Sequence, residues 1–566
     1  MSDEGDAKDY YGAVIVGAGW AGMYLLYHLR KLGLDVRVFE AGTGVGGTWY
    51  WNRYPGARCD VQSLEYSFSF SEALEQEWEW SERYAAQPEI ERYANHVAER
   101  FDLLKDIQFS SKVTAAQYDE GSGTWSIETD RGDRVRAKYF VLAVGGYSVP
   151  IKPDIPGIDS YSGELYFTSK WPKEEVRFAG KRVGVIGIGT SGMQACTVIA
   201  NQNVAELYVF QRTANFALPA QNGPLAPDFV RTYKKSYREH REAARQTGFG
   251  VNFPIKARSV RDLPEKEFLD QMEAAWKHGG SAVLGLVADL VTDEAANARV
   301  ANYLRAKVRE RVNDPEVAEL LCANDHFVGT RRAMIETGYF EIFNQPNVSL
   351  VNLKKTPIKR ITPTGVETSD ANYDLDIIVM ATGFDSGTGG ALQIAITGKK
   401  QDITLAKKWS HGPTTYLGLM VHGFPNLFFL AQPGSPSIRS HVMVAIEQQG
   451  EWLTELIRDM EATGIETIEP SRDAEADWTK HVADIAASTL VTRQATQYVG
   501  ANVPGKPRVY LAYLGGLANY GAICDAVRNK NYEGFIRTSS GGELPGKHKW
   551  SGPLSRANAH AGGKVI

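Results

Sequence analysis

The sequence predicts an α/β fold with two similar strand–turn–helix–strand units and a mainly helical insertion after the second. The first unit is AVIVGAGWAGMYLLYHLRKLGLDVRVFEAG, in which an apolar strand runs into a glycine-rich turn and an amphipathic helix. The second unit, KRVGVIGIGTSGMQACTVIANQNVAELYVFQR, repeats this order. A charged stretch of helical period, including DFVRTYKKSYREHREAARQ, follows it. The 566 residues are too many for one hydrophobic core, which predicts about two to four domains.

The first glycine-rich turn has the Rossmann-like spacing Gly17-x-Gly19-x-x-Gly22, which is typical of a dinucleotide site. Glycine permits a tight turn and a close backbone approach, and the amino end of the next helix offers N–H groups to a pyrophosphate. Glu40 ends the second strand of this unit. Its carboxylate is placed to accept hydrogen bonds from ribose hydroxyls.

The second turn, Gly187-x-Gly189-x-x-Gly192, has the same context and differs at the end of its second strand. Where the first unit has an acid, this unit has a glutamine followed by Arg212. An acid would repel a 2′-phosphate, whereas a guanidinium can pair with it, so this unit favours NADP over NAD. A surface arginine that merely follows a strand is the alternative. Two dinucleotide sites in one chain suggest FAD and NADPH, with hydride passing from nicotinamide to flavin.

The four cysteines stand far apart and form no C-x-x-C pair. They are Cys59, Cys196, Cys322 and Cys524. A flavoprotein that reduces disulfides needs such a pair, so we expect electrons to leave the flavin for another acceptor, most simply molecular oxygen. The cysteines are expected to be reduced thiols of a cytoplasmic protein.

The composition favours small molecules as partners. The formal net charge is −5 with no basic run, so nucleic acid is not expected as a partner. The first residues, MSDEGDAKDY, lack the plan of a secretory signal, and no run approaches the ~18 apolar residues of a membrane helix. His411 and His422 have no partners at ligand spacing, so no metal site is expected. We expect a cytoplasmic monomer or weak homo-oligomer that does not bind membranes.

The segment GGTWYWNRYPGARCD, residues 46–60, resembles the second fingerprint of Baeyer–Villiger monooxygenases, the class B flavoprotein monooxygenases. The resemblance continues through VFQRTANFALP, GTRRAMIETGYFEIFNQPNV, LDIIVMATGFDSGTG and GANVPGKPRV, and covers about residues 10–535. Within the family the chain is most similar to the phenylacetone and steroid monooxygenase branch, on the stretches DVQSLEYSFSF and AAQPEI.

The resemblance implies an FAD-containing, NADPH- and O2-dependent enzyme that converts ketones to esters or lactones through a C4a-peroxyflavin. It also implies oxidation of sulfides. The alternative is an NADPH oxidase, or an N- or S-oxygenating relative that turns over ketones poorly. A flavin-binding protein with a regulatory role is a third interpretation.

The resemblance also implies the site residues. In GTRR it places the active-site arginine at Arg332, a fixed cation suited to stabilise anionic oxygen, with Asp60 as its carboxylate partner. Arg331 stands where the family usually has lysine and suits the NADP phosphate. Asp60 is also expected to contact a bound dinucleotide cofactor. The same is expected of further residues in and near the fingerprint and the second glycine-rich unit: Gly47, Thr48, Trp49, Tyr66, Thr190, Ser191 and Thr213.

Four positions in three segments depart from the family pattern or leave alternatives. Gln497 occupies a slot that commonly holds tryptophan, so contact with the nicotinamide nucleotide is expected to be weaker. In the loop PGSPSIRSH, Ile438 and Arg439 are substrate-pocket candidates, and Arg439 either meets a polar or acidic substrate group or points to solvent. In YSGELYFTSKWP the signature histidine is replaced by Phe167, which we expect on a linker between the nucleotide domains, acting through packing or domain movement.

The domain plan assigns the chain to six segments. These are a first FAD-domain part (1–150), a first NADP-domain part (151–221), a helical insertion (222–328), a second NADP-domain part (329–388), a second FAD-domain part (389–538) and a surface tail (539–566).

Overall fold

The computed structural model describes residues 9–253, 257–400, 403–436 and 439–553. Its strands are β1 (Tyr10–Val16), β2 (Val36–Phe39), β3 (Ile107–Gln108), β4 (Val113–Asp119), β5 (Thr124–Thr129), β6 (Arg134–Leu142), β7 (Glu164–Phe167), β8 (Arg182–Ile186), β9 (Glu206–Gln211), β10 (Ala217–Pro219), β11 (Met334–Glu336), β12 (Val348–Asn352), β13 (Ile358–Thr362), β14 (Gly365–Thr368), β15 (Asn372–Asp374), β16 (Ile377–Met380), β17 (Ala395–Thr397), β18 (Leu427–Phe429), β19 (Thr467–Pro470), β20 (Phe535–Ser539) and β21 (Gly542–Glu543).

The helices are α1 (Trp20–Lys31), α2 (Thr48–Trp51), α3 (Glu72–Glu77), α4 (Gln87–Arg100), α5 (Thr190–Ala200), α6 (Pro227–Lys235), α7 (Tyr237–Arg245), α8 (Glu265–His278), α9 (Ala282–Gly285), α10 (Glu294–Arg311), α11 (Pro315–Leu321), α12 (Gly389–Leu392), α13 (Leu405–Lys408), α14 (Val442–Thr463), α15 (Arg472–Ala487) and α16 (Leu517–Asn529). Of the helices within the described ranges, none combines the length and apolar character needed to cross a membrane.

The first sheet is built around the first glycine-rich unit. Its strands follow the order β17-β4-β5-β6-β1-β2-β3, and β18 also pairs with β6. Strand β1 lies parallel to both β2 and β6, and its residues Ala13, Val14 and Ile15 are fully buried, as expected for a central parallel strand covered on both faces. Because β17 and β18 lie far along the chain, the chain returns to this sheet after completing the second unit.

The second sheet has the order β12-β9-β8-β16-β7, and every pairing in it is parallel. The glycine turn of the second unit follows its central strand β8. Phe167, expected on a linker, ends the edge strand β7 instead and pairs with Met380 of β16. Its half-buried ring packs against an apolar cluster that includes Ile186 and Phe210. The segment is therefore part of the sheet, because its apolar and aromatic residues Leu165, Tyr166 and Phe167 suit a half-buried edge strand.

Helices α6 to α11 form the insertion. Helices α8 to α10 pack around a core that contains Phe268, Met272 and Leu304, whereas α6 and α7 pack on the core of the first unit through Val230 and Tyr237. The parallel pair β10 and β11 brings the two ends of the insertion together, with Ala217 opposite Met334. The insertion thus leaves and rejoins the second unit at one place.

The segment after residue 538 continues the fold for some distance. Strand β21 pairs with β20, and Trp550 is buried against the rings of Trp478 and Tyr416. Residues 554–566 of the expected surface tail lie outside the described residues.

Candidate active site

The first glycine turn is packed so tightly that only glycine fits. Gly17 has a φ of +101°, and a Cβ placed on Gly22 would lie 1.8 Å from the Gly17 carbonyl oxygen. A Cβ on Gly47 would lie 2.9 Å from the Cα of Gly19, so the fingerprint segment rests directly on the turn. Helix α1 begins here with no side-chain cap at Gly19, which leaves its first N–H groups for an anionic ligand.

The Glu40 carboxylate lies beside this turn. Its two carboxylate oxygens accept hydrogen bonds from the backbone N–H groups of Ala18 and Gly42, both at 2.7 Å. Burial raises the pKa of Glu40, and these two N–H groups oppose the rise. Each oxygen keeps a further lone pair, so the carboxylate still suits ribose hydroxyls. The turn and Glu40 therefore fit an adenine dinucleotide.

Trp49 and Tyr66, both expected at the flavin, are joined by a hydrogen bond. The indole N–H of Trp49 donates to the Tyr66 hydroxyl at 2.9 Å, and the Trp20 indole N–H donates to the same oxygen at 3.1 Å. Burial raises the pKa of Tyr66, so its hydroxyl stays protonated. Thr48 opens α2 and is exposed. These hydrogen-bonded rings form a rigid surface beside the first glycine turn.

The second glycine turn repeats the steric pattern of the first. Gly187 has a φ of +97°, and a Cβ on Gly192 would lie 2.0 Å from the Gly187 carbonyl oxygen. A Cβ on Gly189 would meet nothing within 4 Å, so this position faces open space where a ligand can approach. Helix α5 begins at Thr190, and the Ser191 hydroxyl lies 3.1 Å from that of Thr168, the residue after Phe167.

Arg212 and Arg331 are two neighbouring cations near this turn, and neither is paired with an acidic side chain among the described residues. Arg212 directly follows β9, with Thr213 half-buried beside it. Burial lowers the pKa of Arg331, and the nearby Arg212 contributes to that shift while Asp325 opposes it. Across the described part of the chain neither guanidinium has a hydrogen bond or ion pair, and the Arg331 Nε is buried without a partner. This arrangement fits a phosphate such as the 2′-phosphate of NADP.

Arg332 and Asp60 make a two-point ion pair. The Arg332 Nε and Nη2 donate to the two carboxylate oxygens of Asp60, the second at 2.7 Å. Asp60 raises the pKa of Arg332. Burial alone would raise the pKa of Asp60, but the guanidinium outweighs it and the pKa lies below its ordinary value. The side chain of Arg332 is 40% exposed, so it can still contact a ligand.

A cavity of about 950 Å³ adjoins this ion pair. Asp60 and Arg332 lie on its wall, and the helical insertion supplies another wall through residues such as Phe249 and Leu284. The volume is within the usual range for small-molecule sites. The cavity therefore presents a fixed cation to a ligand of modest size.

The loop before α14 contributes Arg439 to the same cavity. Its Nη2 donates to the Gly329 carbonyl oxygen at 2.6 Å, and its guanidinium lies 5.1 Å from the centre of the Tyr498 ring. Arg439 is thus held against the cavity wall rather than extended into solvent, and its buried Nε has no partner. Gln497 is half-buried in a short 3₁₀ turn beside Tyr498. Ile438 lies outside the described residues.

Two cavity residues were missed at the sequence level. His441 is buried at the start of α14, where its ring Nε2 has no partner. Glu65 is buried too, one of its carboxylate oxygens is unpartnered, and burial raises its pKa to about 7. The only sequence signal was the position of His441 directly before an amphipathic helix, where a polar residue commonly serves as a cap.

Two dinucleotide cradles, each on its own sheet, and a cationic cavity without a C-x-x-C pair define a flavin- and NADP-dependent oxidoreductase. A family model described as pyridine nucleotide-disulphide oxidoreductase matches residues 14–246, which include both glycine turns. Acetone monooxygenase (methyl acetate-forming) of Gordonia sp. (strain TY-5) is 40% identical over 526 residues, covering 92% of this chain and 98% of the relative. Phenazine N-monooxygenase of Lysobacter antibioticus is 38% identical, covering 94% and 97%.

The solved structure of an oxidized steroid monooxygenase bound to NADP superimposes with a TM-score of 0.89 and 43% identity, covering 93% of this chain and 99% of that one. The chain belongs to the Baeyer–Villiger monooxygenase family of FAD- and NADPH-dependent enzymes. The family resemblance, the α/β fold with two dinucleotide-binding domains and the cofactors FAD and NADP are thereby confirmed.

Proposed function

We propose that this enzyme inserts one oxygen atom between the carbonyl carbon and a neighbouring carbon of a small ketone, giving an ester or lactone. The overall reaction consumes the ketone, O2, NADPH and a proton, and releases the ester, water and NADP⁺. The observation that carries the proposal is the two-point pair of Arg332 and Asp60 on the wall of a cavity large enough for a ketone.

The roles of the chain's residues follow from their charges. When bound, the flavin supplies the redox chemistry that activates oxygen. Arg332 stays protonated at any working pH and stabilises negative charge that develops on oxygen in the cavity. Asp60 holds the guanidinium plane in one orientation through two hydrogen bonds, which limits the reorganisation needed during the reaction. The apolar side chains of the helical insertion keep bulk water away from that charge.

The nucleotide roles follow in the same way. We propose that Gly17, Gly19, Gly22 and Glu40 hold FAD, assisted by Gly47, Thr48, Trp49, Asp60 and Tyr66. For NADPH we propose Gly187, Gly189, Gly192, Thr190 and Ser191 at the pyrophosphate, Arg212, Thr213 and Arg331 at the 2′-phosphate, and Gln497 near the nicotinamide nucleotide. The unpartnered state of Arg212 and Arg331 supports the preference for NADPH.

Oxygenation at nitrogen or sulfur is the second candidate function. It is favoured by the phenazine N-monooxygenase relative, which has nearly the same identity and coverage as the acetone monooxygenase. A nucleophilic heteroatom would attack activated oxygen directly and would not need stabilisation of a carbonyl oxygen. We propose sulfide oxidation as a side activity on the same cavity, and an NADPH oxidase as the interpretation if no oxygenated product forms.

A panel of ketones, sulfides and aromatic N-heterocycles tests these candidates, with product analysis beside NADPH consumption. Our proposal expects a ketone to accelerate NADPH consumption and to yield about one ester per NADPH. Products formed only from sulfides or N-heterocycles would favour the second candidate. Hydrogen peroxide as the sole product from every compound would reject both.

We also propose that the protein is cytoplasmic and is a monomer or weak homo-oligomer. All four cysteines are free and buried, which suits a reducing compartment. Sedimentation over a range of concentrations checks the oligomeric state, and a stable higher-order assembly at low concentration would contradict it.

A further inference from the structure

His441 is oriented by the first turn of α14. The backbone N–H of Met443 donates to the Nδ1 of His441 at 3.2 Å, so this nitrogen acts as an acceptor and caps the helix. A neutral imidazole that accepts at Nδ1 carries its proton on Nε2. The capping contact therefore fixes the tautomer.

The proton on Nε2 has no acceptor among the described residues. Only 2% of His441 is exposed, and its Nε2 is buried without a hydrogen-bond partner. Leaving a buried donor unpaired is costly, and such a donor is commonly satisfied by a ligand. His441 lies on the wall of the cavity that also contains Asp60 and Arg332.

The electrostatic surroundings keep this imidazole neutral. Burial lowers the pKa of His441 to about 3, and the guanidiniums of Arg241 and Arg332 add to the effect, while Asp60 opposes it. Arg241 is itself engaged by the Glu65 carbonyl oxygen and the Ser67 hydroxyl at 2.6 Å each. His441 is thus a neutral N–H donor at working pH, and a neutral donor suits a carbonyl oxygen.

We propose that the Nε2–H of His441 donates a hydrogen bond to the carbonyl oxygen of the ketone, in the cavity that Arg332 also lines. This inference rests on the proposed ketone oxygenation. The substrate is the favoured acceptor because Arg332, which is proposed to stabilise the ketone oxygen, lines the same cavity. Asp60 also lines this cavity, and the ring centre of Tyr66 lies 6.0 Å from that of His441, so the test below includes the flavin spectrum to separate the two acceptors. His441 would then share with Arg332 the stabilisation of charge that develops on the ketone oxygen.

The test compares His441→Asn with the matched control His481→Asn. The asparagine at 441 retains an acceptor for the Met443 N–H, but its own N–H ends about one atom short of the Nε2 position. His481 also has a buried, unpartnered Nε2, yet it packs among Trp478, Tyr513 and Trp550 and does not line the cavity. His441→Ser, which also retains a cap, serves as a second variant.

We expect kcat/KM for the ketone to fall on the order of 100-fold in both His441 variants and to stay within about threefold in His481→Asn. Anaerobic reduction of the flavin by NADPH and the flavin absorption spectrum should be unchanged in all three. Unchanged ketone kcat/KM in the His441 variants would overturn the inference, as would a shifted flavin spectrum or loss of FAD, which would assign the N–H to the flavin. If the wild-type enzyme forms no ester, the proposed function fails first.

Discussion

Arg332 has a raised pKa because Asp60 lies against it, and Asp60 has a lowered pKa for the same reason. The pair therefore stays ionised across the working pH range. A lysine could supply the same charge at position 332, but its single ammonium cannot make the two parallel hydrogen bonds that orient the guanidinium. At the residue scale, the geometry of this charge matters as much as its sign.

Arg332→Lys is expected to lower the rate of ester formation by about 100-fold or more while NADPH still reduces the flavin. Steady-state product analysis and anaerobic stopped-flow reduction separate these two steps. Ester formation at nearly the wild-type rate would show that orientation of the cation is unimportant.

Asp60→Asn is expected to change how stability depends on pH. A carboxylate whose folded pKa is lowered stabilises the folded state above its unfolded pKa of about 3.9, and this contribution is lost as the pH falls through the folded value. The stability gap between wild type and Asp60→Asn should thus be largest near neutral pH and shrink below about pH 4. Urea unfolding at several pH values measures the gap, and a constant gap would contradict the assignment.

At the level of single elements, two glycines of the second turn differ in their tolerance to a side chain. Gly192 is in backbone contact with Gly187, whereas Gly189 faces open space. We expect Gly192 to be needed for the fold, and we propose that Gly189 allows the close approach of a pyrophosphate.

Gly192→Ala is expected to lower the free energy of unfolding by about 3 kcal/mol, because its Cβ would overlap the Gly187 carbonyl oxygen. Gly189→Ala should leave it within about 1 kcal/mol and raise the KM for NADPH about tenfold or more. Chemical denaturation and NADPH titration distinguish the two effects. Equal losses of stability in both variants would contradict the account.

The edge strand β7 carries the substitution that departs from the family signature. Phe167 packs on the second sheet, and its neighbour Thr168 lies at hydrogen-bond distance from Ser191 at the start of α5. A change at position 167 can therefore reach the NADPH cradle through this contact. Among the described contacts of Phe167, none is with Arg332 or Asp60.

Phe167→His is expected to change NADPH affinity or the coupling of NADPH use to oxygenation modestly, by about twofold to tenfold, and to leave the type of product unchanged. The ratio of ester to hydrogen peroxide per NADPH measures the coupling. A thousandfold gain in ketone turnover would mean that the histidine has a direct chemical role.

Across the whole molecule, the sequence predicts those structural features that depend on residues close together in the chain. Both glycine turns are identified by the spacing of their glycines, and the helical insertion is identified by the helical period of its charged sequence. The pairing of Arg332 with Asp60 spans 272 residues and was reached only through family resemblance. The unpartnered Nε2 of His441 and the edge position of Phe167 depend on how distant segments pack, which no local pattern encodes.

We propose that oxygen from O2 enters a ketone in the cavity beside Arg332. Product mass spectrometry after turnover of NADPH and a ketone under ¹⁸O2 follows that atom directly. We expect an ester or lactone that carries one ¹⁸O atom, formed at about one molecule per NADPH. Recovery of the unchanged ketone, with all NADPH accounted for as labelled hydrogen peroxide, would contradict it.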